Sequence, residues 1–512
     1  MFKTNLFRIA RPAAVLLVTL LLTLPGKPAG VTSAQDPQPS AENRTCSVKP
    51  QLAEIPFHVE DRQIQSGRYT AMPSVQSQVV FSTIVQSFDA PWLQVQFGAA
   101  DLGRNSYVRL TAAQDGATQE LNASLLEAWS RRSAMFKGDA VKIELFAAPD
   151  DKDVFFEVES AIVGDWVGGV PLSTKLPQVS EWEPATPELP WDTTPNSPNS
   201  VCSVDDRVAS NAPEVGRIVP VGCTGWVISN GAFLTAGHCF TTNMTQIQFN
   251  VPPSLANGTI QPPPPNDQYP IDRSNVTWRN NGAGDDWAVF RVTANTTTTL
   301  TPPLAYGSFY RIRPQDEPAT VRVTGYGVDG PAPCFGDQRQ AGCNIPAPTP
   351  VPLNASSQTQ QTATGAGEGR TGDHFEHRVD TQGGNSGSPI LYSDLPNRQA
   401  VAIHTHGNTA AACDTDFNGG TAFTNAGLAA AINNFPGTNG NVRYVDVGYP
   451  SWTTADGTYF RPFSYITIGL NSVPSGGILS IVKGHYDTSE PMTINKNITI
   501  EAPVGAVVIG AP

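Results

Sequence analysis

Three short stretches hold the residue types that hydrolytic chemistry needs. The first runs Cys223-Thr-Gly-Trp-Val-Ile-Ser-Asn-Gly-Ala-Phe-Leu-Thr-Ala-Gly-His238-Cys239. An imidazole with an unperturbed pKa of about 6.5 can take a proton from a hydroxyl and return it near neutrality. A lone histidine is more often a surface group. Here it follows the apolar run Ala232 to Leu234, and a hairpin can return Cys239 to Cys223 as a disulfide that fixes the backbone beside the base. The second stretch is Gly383-Gly384-Asn385-Ser386-Gly387-Ser388-Pro389. Taken alone it reads as loop. Its chemical reading is that glycine lets the peptide N–H groups of Gly384 and Ser386 approach a developing oxyanion, with the Ser386 hydroxyl exposed for attack. The third is Gly284-Asp285-Asp286-Trp287-Ala288-Val289-Phe290, where Asp286 opens an apolar strand. A carboxylate there can orient an imidazole and stabilise its protonated form. Asp285 fits an ordinary turn better.

Thr-Ala-Gly-His-Cys, Asp-Trp-Ala-Val and Gly-Asn-Ser-Gly-Ser-Pro, in that order, resemble the chymotrypsin/trypsin-like serine endopeptidases. The likeness covers residues 201–437. It implies two perpendicular β-barrels, with His238 and Asp286 from the first and Ser386 from the second, acting as general base, orienting carboxylate and nucleophile. The gaps of 48 and 100 residues between them suit two barrels plus an insertion. Asn385 departs from the digestive members, which carry aspartate before the serine to pair with a new amino terminus. The digestive activation mechanism therefore does not transfer. The Asn form resembles the bacterial glutamyl endopeptidase branch instead.

In that branch a threonine five residues before the nucleophile and a histidine on the following strand bind a carboxylate side chain. Thr381 and His404 occupy those positions, which favours cleavage after Glu or Asp. Asp380 argues the other way. It stands at the offset where trypsin-like members bind Lys or Arg, and an ionised Asp380 facing the pocket would repel Glu. Turned away, it would anchor a loop. A zinc site drawn from His374, His377, His404 and His406 lacks the tight spacing of four-ligand sites, so the mechanism expected here uses no metal and no cofactor. A non-catalytic secreted binding protein with a protease-like domain is the reading from a different class. It loses weight because all three triad types and the oxyanion glycine are present.

Positioning these groups requires β-structure, and the composition favours it: 15% charged residues, with 45 Gly and 45 Pro to make turns. Lys3, Arg8 and Arg11 precede the apolar stretch Ala13 to Leu24, with Thr32 and Ala34 following, so residues 1–34 read as a secretory signal. Without it the chain has 28 basic and 45 acidic residues, a net charge of -17, which argues against nucleic acid as a partner. No second apolar run approaches the ~20 residues needed to span a bilayer. A secreted protein, extracellular or periplasmic, acting on protein or peptide substrates, is expected.

The fold class expected is all-β. Alternation at Leu93, Val95 and Phe97, and again at Val141, Ile143 and Leu145, predicts a β-sandwich over residues 35–170, with a short helix around Leu121 to Arg131. Residues 171–200 form a Pro-rich linker. The stretch Pro331 to Gly369 reads as a surface insertion closed by Cys334 and Cys343. Residues 438–512 hold brief apolar strands that resemble the first coils of a parallel β-helix, too few to bury their own core. That tail is expected to dock on a neighbour. Cys202 is open to pairing with Cys413 or Cys46.

Overall fold

The computed structural model describes residues 48–50, 53–70, 76–167, 205–240, 244–314, 316–329, 354–393, 398–408, 417–437, 440–449, 454–488 and 492–510. The expected signal and linker, the Cys334 to Cys343 closure, and Cys46, Cys202 and Cys413 lie outside the described residues.

Residues 57–164 build two four-stranded antiparallel sheets. One is ordered Phe57–Gln65, Phe155–Gly164, Trp92–Asp101, Phe136–Lys137; the other Gln78–Gln86, Ala140–Ala147, Tyr107–Ala112, Thr118–Asn122. The alternating residues Leu93, Val95, Phe97, Val141, Ile143 and Leu145 are all buried, and they share one core with Val108, Leu110, Phe156 and Val158. Such burial contributes about 1.5–3 kcal/mol per large aliphatic or aromatic side chain. The short helix Ala123–Ala128 starts where the Asn122 side chain accepts the Leu125 N–H, satisfying one of the helix's unpaired donors.

A closed six-stranded barrel follows, ordered Val215–Val219, Cys223–Val227, Phe233–Thr235, Asp286–Val292, Gln268–Asn280, Gln246–Gln248. Its interior is filled by Ile218, Phe233, Ile247, Tyr269 and Phe290. A second six-stranded ring runs Gln399–Asn408, Pro389–Tyr392, Thr320–Gly325, Gln361–Thr371, His374–His377, Asn418–Ala422 and back to the first strand. Between the barrels, Trp226, Leu234 and Trp287 pack with Leu391, Ile403 and Phe423, and the helix Ala426–Asn433 closes this seam with Leu428 and Ile432.

One expectation fails here. The stretch read as an insertion up to Gly369 is only partly so, because Gln361–Thr371 is a full strand of the second barrel, paired with Thr320–Gly325 and with His374–His377. The stretch is rich in Pro, Ala, Thr and Gln, a composition that carries no apolar alternation to mark the strand. A Cβ on Gly367 would fall 2.1 Å from the carbonyl oxygen of Pro318, so the backbone approaches too closely for a side chain.

In the tail, Val442–Val445, Ile478–Ile481 and Thr499–Glu501 stack in parallel, as do Gly484–Tyr486 and Val507–Ile509. These strands do not stand alone. Val442, Tyr444 and Tyr459 enter the core at the barrel seam, and Val482 and Val504 cap the first barrel's interior.

Candidate active site

Each candidate side chain sits where a strand ends. His238 lies in the single turn Gly237–Cys239 after Phe233–Thr235, and Asp286 begins Asp286–Val292, the strand paired with it. Ser386 lies in the turn before Pro389–Tyr392, between two glycines with positive φ, +99° at Gly384 and +89° at Gly387. A Cβ at Gly384 would stand 2.3 Å from the carbonyl oxygen of Tyr326, and one at Gly387 would stand 2.1 Å from that of Thr224. Only glycine fits that turn.

The three side chains form one hydrogen-bonded series. Asp286 Oδ2 is 2.6 Å from His238 Nδ1, and His238 Nε2 is 2.7 Å from Ser386 Oγ. The second carboxylate oxygen accepts the His238 backbone N–H at 2.8 Å, so Asp286 fixes both ring and main chain. Ser386 and Asp286 are fully buried and His238 is 8% exposed. In this geometry a bond to the carboxylate keeps the proton on Nδ1 and leaves Nε2 to receive the serine's proton. Asp285, in contrast, binds Asn281, the Trp287 indole N–H and Asn425, and is a turn anchor.

The serine's turn is held by the opposite barrel. Thr224 donates its N–H to the Ser386 carbonyl at 2.8 Å and its hydroxyl to the Gly384 carbonyl at 2.9 Å, and the Trp226 indole N–H reaches the Gly387 carbonyl at 3.0 Å. The Gly383 carbonyl is drawn aside by the Val328 N–H at 2.8 Å. The carbonyls of Gly383, Gly384, Ser386 and Gly387 are thus all engaged. The disulfide Cys223–Cys239 forms as the hairpin suggested, joining the strand that carries Thr224 to the turn that carries His238. Cys223, Cys239 and His238 have ligand atoms within 4.8 Å of one another, but both sulfurs are consumed by that bond.

Beside the serine lies a second buried polar cluster. His377 Nδ1 accepts the Val379 N–H at 3.1 Å, which places its proton on Nε2, and that nitrogen is 3.1 Å from His404 Nδ1. The proton of neutral His404 consequently sits on Nε2. Burial pushes His377 down to about 3, and burial with the neighbouring imidazoles of His377, His406 and His238 pushes His404 well below its ordinary value. His406 is pushed down to about 4, chiefly by burial. Thr381 Oγ1 is fully buried with no hydrogen-bond partner among the described residues. Asp380 Oδ2 accepts the Asp206 N–H at 3.1 Å, the loop-anchoring role open to it from sequence.

Two supporting residues escaped sequence reasoning. The Thr421 hydroxyl accepts the Asp286 N–H at 3.1 Å and donates to the Asp286 carbonyl at 2.9 Å, bracketing the carboxylate's own peptide unit. Thr421 lies in a Gly-Gly-Thr-Ala run that carries no local signal. His377 was visible only as half of a loose histidine pair, and its partner is His404 rather than His374.

Residues 194–425 match the Trypsin family. The domain over these residues belongs to the chymotrypsin/trypsin-like serine endopeptidases and is a peptide-bond hydrolase. Among solved structures, a Glu endopeptidase in complex with MPD is 21% identical, over 46% of this chain and 97% of its own, with a TM-score of 0.31. A thermostable serine protease, AL20, from an extremophilic microorganism is 12% identical, over 41% of this chain and 92% of its own, with a TM-score of 0.29. No curated protein sequence matches.

Proposed function

We propose that this protein is a secreted endopeptidase that cuts after acidic residues, with Ser386 as nucleophile. The observation that carries the catalytic part is the 2.6 Å and 2.7 Å series from Asp286 through His238 to Ser386. As Ser386 Oγ attacks the substrate carbonyl carbon, its proton passes to His238 Nε2, and the carbonyl oxygen takes the negative charge. The peptide N–H groups of Gly384 and Ser386 stabilise that charge. His238 then gives the proton to the leaving amine as the C–N bond breaks, which leaves an ester on Ser386. Water, losing a proton to the same nitrogen, hydrolyses the ester and restores the hydroxyl.

The acidic preference rests on fixed donors. His404 carries its proton on Nε2 because its Nδ1 is occupied by His377, and Thr381 has a buried hydroxyl with no partner among the described residues. Both can donate to a carboxylate without the pocket carrying charge beforehand. Cleavage after Lys or Arg would need Asp380, one of whose oxygens is engaged by the Asp206 amide. The order of charge, apolar run and small residues in 1–34 supports export.

A peptide-library digest read by mass spectrometry, wild type against Ser386→Ala, tests both parts. Cuts by wild type alone, preceded by Glu or Asp, are expected. Cuts preceded by Lys or Arg would transfer specificity to Asp380, and equal cutting by the variant would remove Ser386 from the mechanism.

A further inference from the structure

Strand Gln399–Asn408 changes neighbours along its length. Pro389–Tyr392 covers one edge only as far as the Pro389 and Ile403 pair, while Asn418–Ala422 covers the other edge through His406. Ser388 and Gly387 still hold the His404 N–H and carbonyl at 2.8 and 2.7 Å, and past His404 the first edge leaves the barrel ladder beside the nucleophile, where the Thr405 carbonyl oxygen is 3.2 Å from Ser386 Oγ. A sheet edge left open in this way is a template for an added strand.

The chain fills that edge with its own amino-terminal segment. Val48, Lys49 and Pro50 pair antiparallel with Asn408, Gly407 and His406. Because His406 also pairs with Gly419, Pro50 must lie on the edge that Pro389–Tyr392 has vacated. Shortly after, the same segment is gripped by the first barrel. Ala53 donates its N–H to the Gly222 carbonyl at 3.0 Å, and Ile55 donates to that of Pro220 at 2.9 Å. The Ala53 carbonyl accepts the Gln358 side-chain amide at 2.8 Å. Gly222 is shaped to this contact, since a Cβ there would fall 1.6 Å from the Ala53 carbonyl oxygen. It also adjoins Cys223 and, one residue on, Thr224, whose N–H holds the Ser386 carbonyl.

Residues 48–50 are thus held through the backbone by the second barrel, and residues 53–55 by the first. Main-chain recognition of an extended peptide at a sheet edge is strand addition, and a protein substrate needs the same edge to bring a peptide carbonyl to Oγ. We propose that residues 48–50 and 53–55 are an intramolecular occupant of the substrate cleft that keeps the full chain latent until they are displaced. The proposal rests on Ser386 being the nucleophile. A tethered segment acts at an effective concentration on the order of millimolar, so substrate must compete with it. The segment raises apparent KM and leaves kcat alone.

The test compares the full chain with a variant lacking residues 35–50 and with Lys49→Pro, which deletes the N–H at the centre of the added strand. A fluorogenic peptide reports kcat and KM, a small fluorophosphonate reports Ser386 reactivity independently of the cleft, and a synthetic peptide of residues 46–56 is added in trans. We expect KM to fall about tenfold or more in both variants with kcat unchanged, and the peptide to inhibit the truncated protein competitively. One shared KM with Ser386 labelled in all three proteins, or no inhibition by the peptide, overturns the proposal alone. Failure of Ser386 to label in any of them overturns the nucleophile reading and the proposal with it.

Discussion

The catalytic cleft and the histidine pocket beside it are both buried and built from the same kinds of side chain, yet they differ in hydrogen-bond completeness. In the cleft, both oxygens of Asp286, both ring nitrogens of His238 and the Thr421 hydroxyl have partners at 2.6 to 3.1 Å. In the pocket, Thr381 Oγ1 is buried without one among the described residues. A buried polar group left unsatisfied costs about 1–3 kcal/mol. On the proposed function, the complete network serves a charge that develops during reaction, and the incomplete one serves a group that arrives with the substrate.

Breaking the complete network should have the larger effect. Asp286→Asn keeps the shape but favours the wrong tautomer of His238, and kcat should fall roughly 10⁴-fold with KM little changed. Steady-state kinetics on one good peptide measures this. A loss under tenfold would mean that Asp286 contributes only to folding. In the pocket, His377→Phe removes the donor that fixes the His404 tautomer. For peptides with Glu before the cut, kcat/KM should fall about 10- to 100-fold, the worth of one hydrogen bond to a charged group. Neutral peptides should lose much less. An equal loss for both would make His377 a packing residue and end the contrast between cleft and pocket.

The same contrast governs what was legible in the sequence. His238, Asp286 and Ser386 sit in short contiguous motifs because each needs a particular backbone turn, and glycines at 384 and 387 mark one such turn openly. Thr421 and Thr224 contribute one hydroxyl each from strands that pack for other reasons, so no local pattern announces them. Burial of Leu93, Val95 and Phe97 followed from alternation, a period the backbone imposes. Gln361–Thr371 did not, because its Gly365 and Gly367 face backbone rather than core. The grip on residues 48–50 and 53–55 is made largely through the main chain, to which side-chain identity is nearly blind; Gly222, where a Cβ has no room, is its main trace in the sequence.

The pocket should also set the protein's acid sensitivity. His377 and His406 protonate only near 3 and 4 in the folded chain, and His404 well below its ordinary value. Unfolded, each takes up its proton near 6.5. Below 6.5 the unfolded chain therefore binds more protons, so this contribution is complete above pH 6.5 and is lost as pH falls toward 4. Each imidazole accounts for up to about 1.4 kcal/mol per pH unit in that window. Melting temperature should drop across it, and less steeply in His377→Phe. A melting temperature flat from pH 6.5 to 4.5 would mean that the pocket hydrates and its histidines titrate freely.

The smallest effect is the sharpest comparison, because two threonines lose the same atom in different surroundings. Thr421→Val removes a hydroxyl that both accepts from and donates to the Asp286 peptide unit. It leaves those two backbone groups buried and unpaired, and should lower stability by about 1–3 kcal/mol while slowing every substrate. Thr381→Val removes a hydroxyl that has no partner among the described residues, so it should leave stability unchanged or raise it by up to about 1 kcal/mol. Its cost should appear only in kcat/KM for acidic peptides. Denaturant unfolding of the two variants side by side reads the difference directly. If both lose the same stability, Thr381 is already satisfied in solution, and the pocket is as complete before substrate arrives as the cleft is.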